Sequence, residues 1–237
     1  MSLNNTDFLD VADRILYEDN HIIVVNKQAG ELCQGDQTGD VPLLEKVRDY
    51  IRQKYNKPGN VFCGLVHRID RPVSGAVVFA KTSKGLSRMN EIVKKRDFSK
   101  YYWAIVEGMP EQKEQKLVHY LKKNAANNKT VVSAKEAEGW QRAELDYTVI
   151  ASSDRYSLLE VKLMTGRHHQ IRAQLSAIGN PIKGDLKYGA KRSEPDGSIC
   201  LHSRRMEFVH PVSKKGLSII ADPFNNLFFK ILQENKI

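Results

Sequence analysis

The chain has 237 residues, of which 41% are hydrophobic, enough to build a substantial core in one large or two small domains. Its net charge of +9 suits a polyanionic partner, and no apolar run approaches the ~20 residues of a membrane span. The polar, acidic start MSLNNTDFLD fits neither a signal peptide nor a basic transit peptide, and three scattered cysteines without a CxxC pair read as buried thiols of a reducing compartment.

In chain order, residues 14–27 read as two short strands around the turn Glu18-Asp19-Asn20. Pro42 to Tyr55 reads as a helix, with Leu43, Leu44, Val47 and Ile51 at helical spacing. Pro58-Gly59 ends it. Val61 to Thr82 places a polar loop, HRIDRPVSG, between two apolar strands. Ser83 is expected to cap a helix with Leu86, Met89 and Val93 inward.

Lys100 to Val106 reads as a strand carrying three adjacent aromatics. Residues 122–139 read as a lysine-rich polar stretch with Asn127-Asn128 at a loop tip. Trp140–Ile150 and Tyr156–Met164 read as a strand pair, and Thr165–Ile178 as a helix buried through Ile171, Leu175 and Ile178. Gly179 stops that helix, and Pro181 forbids its continuation. Strands at Ser198–Phe208 and Leu217–Ala221 follow, and Asp222-Pro223 opens a last helix with Leu227, Ile231 and Leu232 inward. No repeat, low-complexity tract or long linker divides the chain. The expected fold is α+β, a mixed, largely antiparallel sheet with flanking helices, in a single domain.

The charge is uneven. Residues 81–130 hold 12 Lys and Arg against 5 Asp and Glu, residues 160–216 hold 11 against 5, and the remainder is slightly acidic. Such blocks suit phosphate binding through counterion release, although composition alone fits a plain solvated basic surface equally well. The segments KGDLKYG, with Lys183 and Lys187, and LHSRRMEFVHP, with Arg204 and Arg205, add aromatic rings to cations, a mixture suited to phosphate contact and base stacking.

Two segments could carry chemistry. Asp70 stands between Arg68 and Arg71 in the loop between apolar strands. Neighbouring guanidinium charges suit an acid that must act as an anion. Pro72 stiffens the loop, and Ser74-Gly75 offers a backbone that can approach a ligand. The second segment is GRHHQIR, residues 166–172. It places Arg167 and His168 at the positive end of the predicted helix, and Arg172 one turn beyond His168 on the same face. Adjacent helical residues diverge by about 100°, which argues against a metal shared by His168 and His169.

Together these segments resemble the RluA family of pseudouridine synthases. HRIDRPVSG at 67–75 is similar to the family's HRLD-x-x-[TS]-S-G, FAKT at 79–82 to the strand end that follows it, and KYYWAIVEG at 100–108 to K-x-Y-x-A-x-V-x-G. TGRHHQIRAQL at 165–175 is similar to T-G-R-x-H-Q-I-R-x-H, and GNPIKGDLKYG and LHSRRMEFVHP to the closing motifs. The similarity runs in order from about Ile15 to Pro211. Departures are Gln28 in place of proline, His168 in place of a small residue and Gln174 in place of histidine.

The resemblance implies an enzyme that needs no metal or organic cofactor. It breaks the C1′–N1 bond of uridine in rRNA or tRNA, turns the base and rejoins it through C5. It assigns Asp70 as the catalytic carboxylate, Tyr102 as the ring that packs on the target base, and Arg172 as the partner that holds Asp70. Arg68 would fill the gap left by a flipped nucleotide, and Arg71, Arg167, His168, Lys183, Lys187, Arg204 and Arg205 would hold RNA. A cytoplasmic location follows, with no membrane and no obligate protein partner. The short segment ahead of the first strand implies that the N-terminal RNA-binding module of many relatives is lacking. The competing class is a non-catalytic RNA-binding or ribosome-assembly protein, which would have no use for the Asp70, Tyr102 and Arg172 set. A glycoside hydrolase would need a second, paired carboxylate that Asp70 lacks in the sequence.

Overall fold

A computed structural model of the chain describes residues 10–225 and 227–234; most of the N-terminal segment MSLNNTDFLD lies outside them. The chain forms two compact units, one of residues up to Phe98 with Ser203–Asp222, the other of Ser99–His202 with the residues from Pro223 onward. Among the described residues no helix is long and apolar enough to cross a membrane.

In the first unit, β1 (Ile15–Glu18) and β2 (Ile22–Lys27) form the expected antiparallel hairpin. Asp19 closes its turn by accepting the backbone N–H groups of His21 at 2.7 Å and Ile22 at 2.9 Å. All six β2 residues are buried, as a β-branched strand with neighbours on both sides should be. It pairs with β4 (Ser74–Ala80), and β4 pairs with the two-residue β3 (Gly64–Leu65), much shorter than the apolar run around it suggests. Beyond β4 lie β10 (Leu201–Val209) and β11 (Gly216–Ile220).

Helix α1 (Leu43–Lys54) matches the predicted span. Helix α2 (Ser83–Lys94) is capped one residue earlier than expected, because Thr82 Oγ1 accepts the Gly85 N–H at 3.0 Å. Met89 is buried in a core with Ile22, Val24, Val78, Phe98, Met206 and Phe208, and Leu86 and Val93 pack against it.

The second unit is an antiparallel sheet of β5 (Phe98–Glu107), β9 (Tyr156–Leu163), β8 (Gln141–Ser152), β6 (Glu114–Asn124) and β7 (Lys129–Ser133), in that spatial order. The lysine-rich stretch is therefore a hairpin, with the expected tip at Asn127-Asn128. Only Leu117 and Leu121 of β6 are fully buried, so its strand state rests on pairing with β8 rather than on a visible apolar alternation. Helix α3 (Gln170–Ala177) packs on β6 and β7. Helix α4 (Leu227–Glu234) begins beyond the expected Asp222-Pro223 start, and Phe228 and Ile231 are buried in it. Leu227 and Leu232, expected inward, are only half-buried. The Phe228 and Phe229 rings lie 6.4 and 6.0 Å from that of Trp103. All three cysteines are free and buried, as expected, and burial pushes the Cys63 and Cys200 thiols up to about 12.

Candidate active site

The loop from His67 to Val73 is held at each step. His67 Nε2 accepts the Val78 N–H at 3.2 Å, which ties the loop's start to β4. Ile69 is buried, and its carbonyl accepts the Cys33 thiol at 3.5 Å. The Asp70 carbonyl accepts the Val73 N–H at 3.0 Å, closing a turn over Arg71 and Pro72. The Arg71 carbonyl accepts the Gly30 N–H at 2.8 Å.

Beneath this turn lies Lys27, which is fully buried. Its ammonium donates to the carbonyls of Gln28 at 2.8 Å, Arg71 at 3.2 Å and Val73 at 2.8 Å. Burial lowers Lys27 to about 8, against the pull of the nearby Cys33, Glu31 and Asp70 charges. Asp70 itself is half-buried and Arg68 is exposed. The Arg71 side chain, expected to meet RNA, donates to Gly30 O at 3.0 Å and Asp40 Oδ2 at 2.6 Å. Gly75 has a φ of +115°, and a Cβ there would fall 2.4 Å from the Ser203 carbonyl oxygen. The close approach expected of this glycine is thus to β10, not to a ligand.

The GRHHQIR segment departs from the predicted helix. Thr165 Oγ1 accepts the Glu144 N–H at 2.9 Å and donates to Gln170 Oε1 at 2.8 Å, and the same oxygen accepts the Arg167 N–H at 3.0 Å. Gln170 Nε2 donates to the Glu144 carbonyl at 2.9 Å. These bonds fold residues 165–169 into a loop, and His169 has a left-handed φ of 49°, so α3 begins only at Gln170. Arg167 and His168 are therefore not helical, and the expected one-turn relation of His168 to Arg172 does not exist. Nor do the two histidines diverge, since their rings stack at 3.7 Å with 24° between planes. Thr130 Oγ1 donates to the His168 carbonyl at 2.9 Å and lies 2.8 Å from its Nδ1. No group of three His, Cys, Asp or Glu side chains among the described residues could hold a metal ion.

Arg172 is buried on α3. Its Nε and Nη2 donate to Asp185 Oδ2 at 2.7 Å and Oδ1 at 2.9 Å, and its guanidinium lies 5.1 Å from the Tyr188 ring centroid. Asp185 and Tyr188 had no assigned role in the sequence. The usable signal was a lone acid amid the cations of KGDLKYG. Tyr102 is buried on β5 opposite Val161. Of the other expected RNA contacts, Arg167 Nε donates to the Arg142 carbonyl at 3.2 Å, and Lys187 to those of Asn127 and Asn128 at 3.5 and 3.3 Å. Lys183 pairs with Glu194 and Arg205 with Glu207, while Arg204 reaches Asp222 at 2.5 Å. At the departures, the Gln28 N–H donates to Glu31 Oε2 at 3.1 Å, a bond that proline could not make. Gln174 Nε2 lies 3.0 Å from His119 Nδ1.

Residues 21–177 match the RNA pseudouridylate synthase family. The chain belongs to this family. It is 32% identical to an uncharacterised RNA pseudouridine synthase of Bacillus subtilis (strain 168), over 89% of this chain and 68% of that protein. It is 31% identical to ribosomal large subunit pseudouridine synthase C of Buchnera aphidicola, over 90% of this chain and 68% of that protein. The structure of human RNA pseudouridylate synthase domain containing 4 covers 97% of this chain and 95% of its own, with a TM-score of 0.80 at 21% identity. This likeness confirms the α+β, largely antiparallel fold of the family.

Proposed function

We propose that this isomerase converts uridine to pseudouridine in ribosomal RNA with Asp70 as its catalytic carboxylate. The observation that supports this most is the construction of the 67–73 loop. A buried ammonium and a thiol fasten its backbone and its own histidine ring ties it to β4, so the one acid it presents is held in place while half-buried. Precise placement of a reacting group is worth orders of magnitude in rate, and binding alone would not require it.

Asp70 acts as an anion, either by attacking C1′ or by accepting the C2′ proton; both routes begin from the same carboxylate. The C1′–N1 bond breaks with its electron pair left on N1, the base turns, and C5 bonds to C1′ as Asp70 leaves C1′ or returns the proton to C2′; the proton lost from C5 is matched by one gained at N1. Tyr102 packs on the detached base, and its hydroxyl is suited to assist the last proton transfer. Arg172 serves Asp70 as an oriented donor. The target nucleotide leaves its stack at a cost of a few kcal/mol. Arg68 fills the gap, and Arg71, Arg167, His168, Lys183, Lys187, Arg204 and Arg205 supply contacts along the flanking strand. No cofactor takes part. Both units serve one catalytic domain, and the enzyme works in the cytoplasm where ribosomal RNA is processed.

The test is to map pseudouridine in ribosomal and transfer RNA from cells with and without the gene. Loss of one or a few ribosomal pseudouridines, restored by the wild-type gene, is expected. Loss confined to transfer RNA would overturn the substrate, and an unchanged map would overturn the function.

A further inference from the structure

Arg172 and Asp185 are 5% and 1% exposed. A buried ion pair of this kind is a weak source of stability, because desolvation of the two charges offsets their attraction, and apolar residues of similar volume often do as well. What the pair does supply is direction. A carboxylate that takes both Nε and Nη2 fixes the plane of a guanidinium and its rotation within that plane.

The surroundings add to this constraint. Asp185 precedes and Tyr188 ends a single 3-10 turn, Leu186–Tyr188, closed by the Tyr188 N–H on the Asp185 carbonyl at 3.0 Å. That turn is fastened to α3 by Ser176 Oγ, which donates to the Tyr188 carbonyl at 2.6 Å. Ser176 is four residues after Arg172, on the same face of the helix. The Tyr188 ring backs the guanidinium. Its hydroxyl accepts the Thr130 N–H at 2.7 Å and lies 3.0 Å from His169 Nδ1. Helix, turn and hairpin therefore all bear on the pose of one side chain.

We propose that Asp185 is a positioning residue for the isomerisation, acting through Arg172. It occupies the Nε–Nη2 edge, so the guanidinium is held in one orientation for the reaction. It also neutralises the buried cation, which makes Arg172 an aimed donor rather than a net positive charge. The proposal rests on the catalytic reading of Arg172.

The test uses the full chain and a ribosomal RNA transcript that it modifies, with single-turnover rates at saturating RNA, RNA affinity and thermal unfolding measured together. Asp185→Glu keeps the charge but moves the carboxylate by one methylene. It is expected to fold, to bind RNA as wild type does, and to turn over on the order of 10- to 100-fold more slowly. Asp185→Asn, where it folds, should be slower still, because its amide turns a donor toward the guanidinium. In an Arg172→Met background, Asp185→Leu should change the rate no further. A wild-type rate for Asp185→Glu, or rate losses from positions 172 and 185 that simply multiply, would overturn the positioning role. A wild-type rate for Arg172→Met would instead overturn the reading of Arg172 on which the proposal rests.

Discussion

Lys27 spends three donors on three carbonyls, two of them in the turn that carries Asp70. Its pKa of about 8 lies below the ordinary 10.5, chiefly because of burial. Between those two values the unfolded chain holds a proton that the folded chain has released, so stability should rise with pH through this window. The neutral amine has only two hydrogens for three acceptors, so the turn loosens as stability rises. Turnover at saturating RNA should therefore fall from pH 8 to pH 9 while resistance to urea increases. Lys27→Met should abolish the rise in stability. It should also cost on the order of 1–3 kcal/mol for each carbonyl left without a donor. Parallel stability profiles for wild type and Lys27→Met would contradict this account. The 67–73 loop was legible as a polar segment between apolar strands, and the family motif singled out its one acid. Lys27 was not, because a strand-end lysine normally faces water and only the folded loop brings the carbonyls to it. Asp185 was hidden for the same reason.

Glu18 plays a comparable part between elements. It ends β1, and its Oε2 accepts from Lys54 at 2.7 Å and Tyr50 at 3.0 Å, both in α1. Its Oε1 accepts from Lys81 at 2.7 Å, just past β4, and from Tyr55 at 2.9 Å. Burial pushes this carboxyl up, but the bonds from Lys54, Lys81 and Tyr55 outweigh burial and hold it at about 2, below the ordinary 4.5. A lowered carboxylate contributes stability that is complete above its unfolded pKa and is lost as pH falls toward its folded one. Glu18→Gln should thus cost about 2–3 kcal/mol at neutral pH, and the difference should shrink between pH 4.5 and pH 2. Denaturation at pH 7 and pH 3 checks this; an equal gap at both would contradict it. Element positions were legible where periodicity was strong, as in α1 and the β8–β9 pair. The start of α3 was not, because Thr165 and Gln170 take up each other's hydrogen bonds and withdraw five residues from an otherwise helical pattern.

For the whole molecule, the excess of cations and the order of motifs from Ile15 to Pro211 pointed to one RNA-modifying fold. The family match over residues 21–177 agrees. The antiparallel class followed from short β-branched runs separated by turns. The β6–β7 hairpin escaped notice because four lysines line strands whose pairing depends on residues far away in the chain. The division into two units was equally invisible, since the first unit takes up Ser203–Asp222 from beyond the second, without any linker to mark the crossing. The proposed reaction depends on one carboxylate on one clamped loop. Asp70→Asn preserves the shape of the side chain and removes its charge. The decisive measurement is pseudouridine formation by the purified variant on a ribosomal RNA transcript that the wild-type protein modifies, with RNA binding and thermal unfolding followed in parallel. No pseudouridine, with binding and folding retained, is the predicted result; turnover near the wild-type rate would contradict the account.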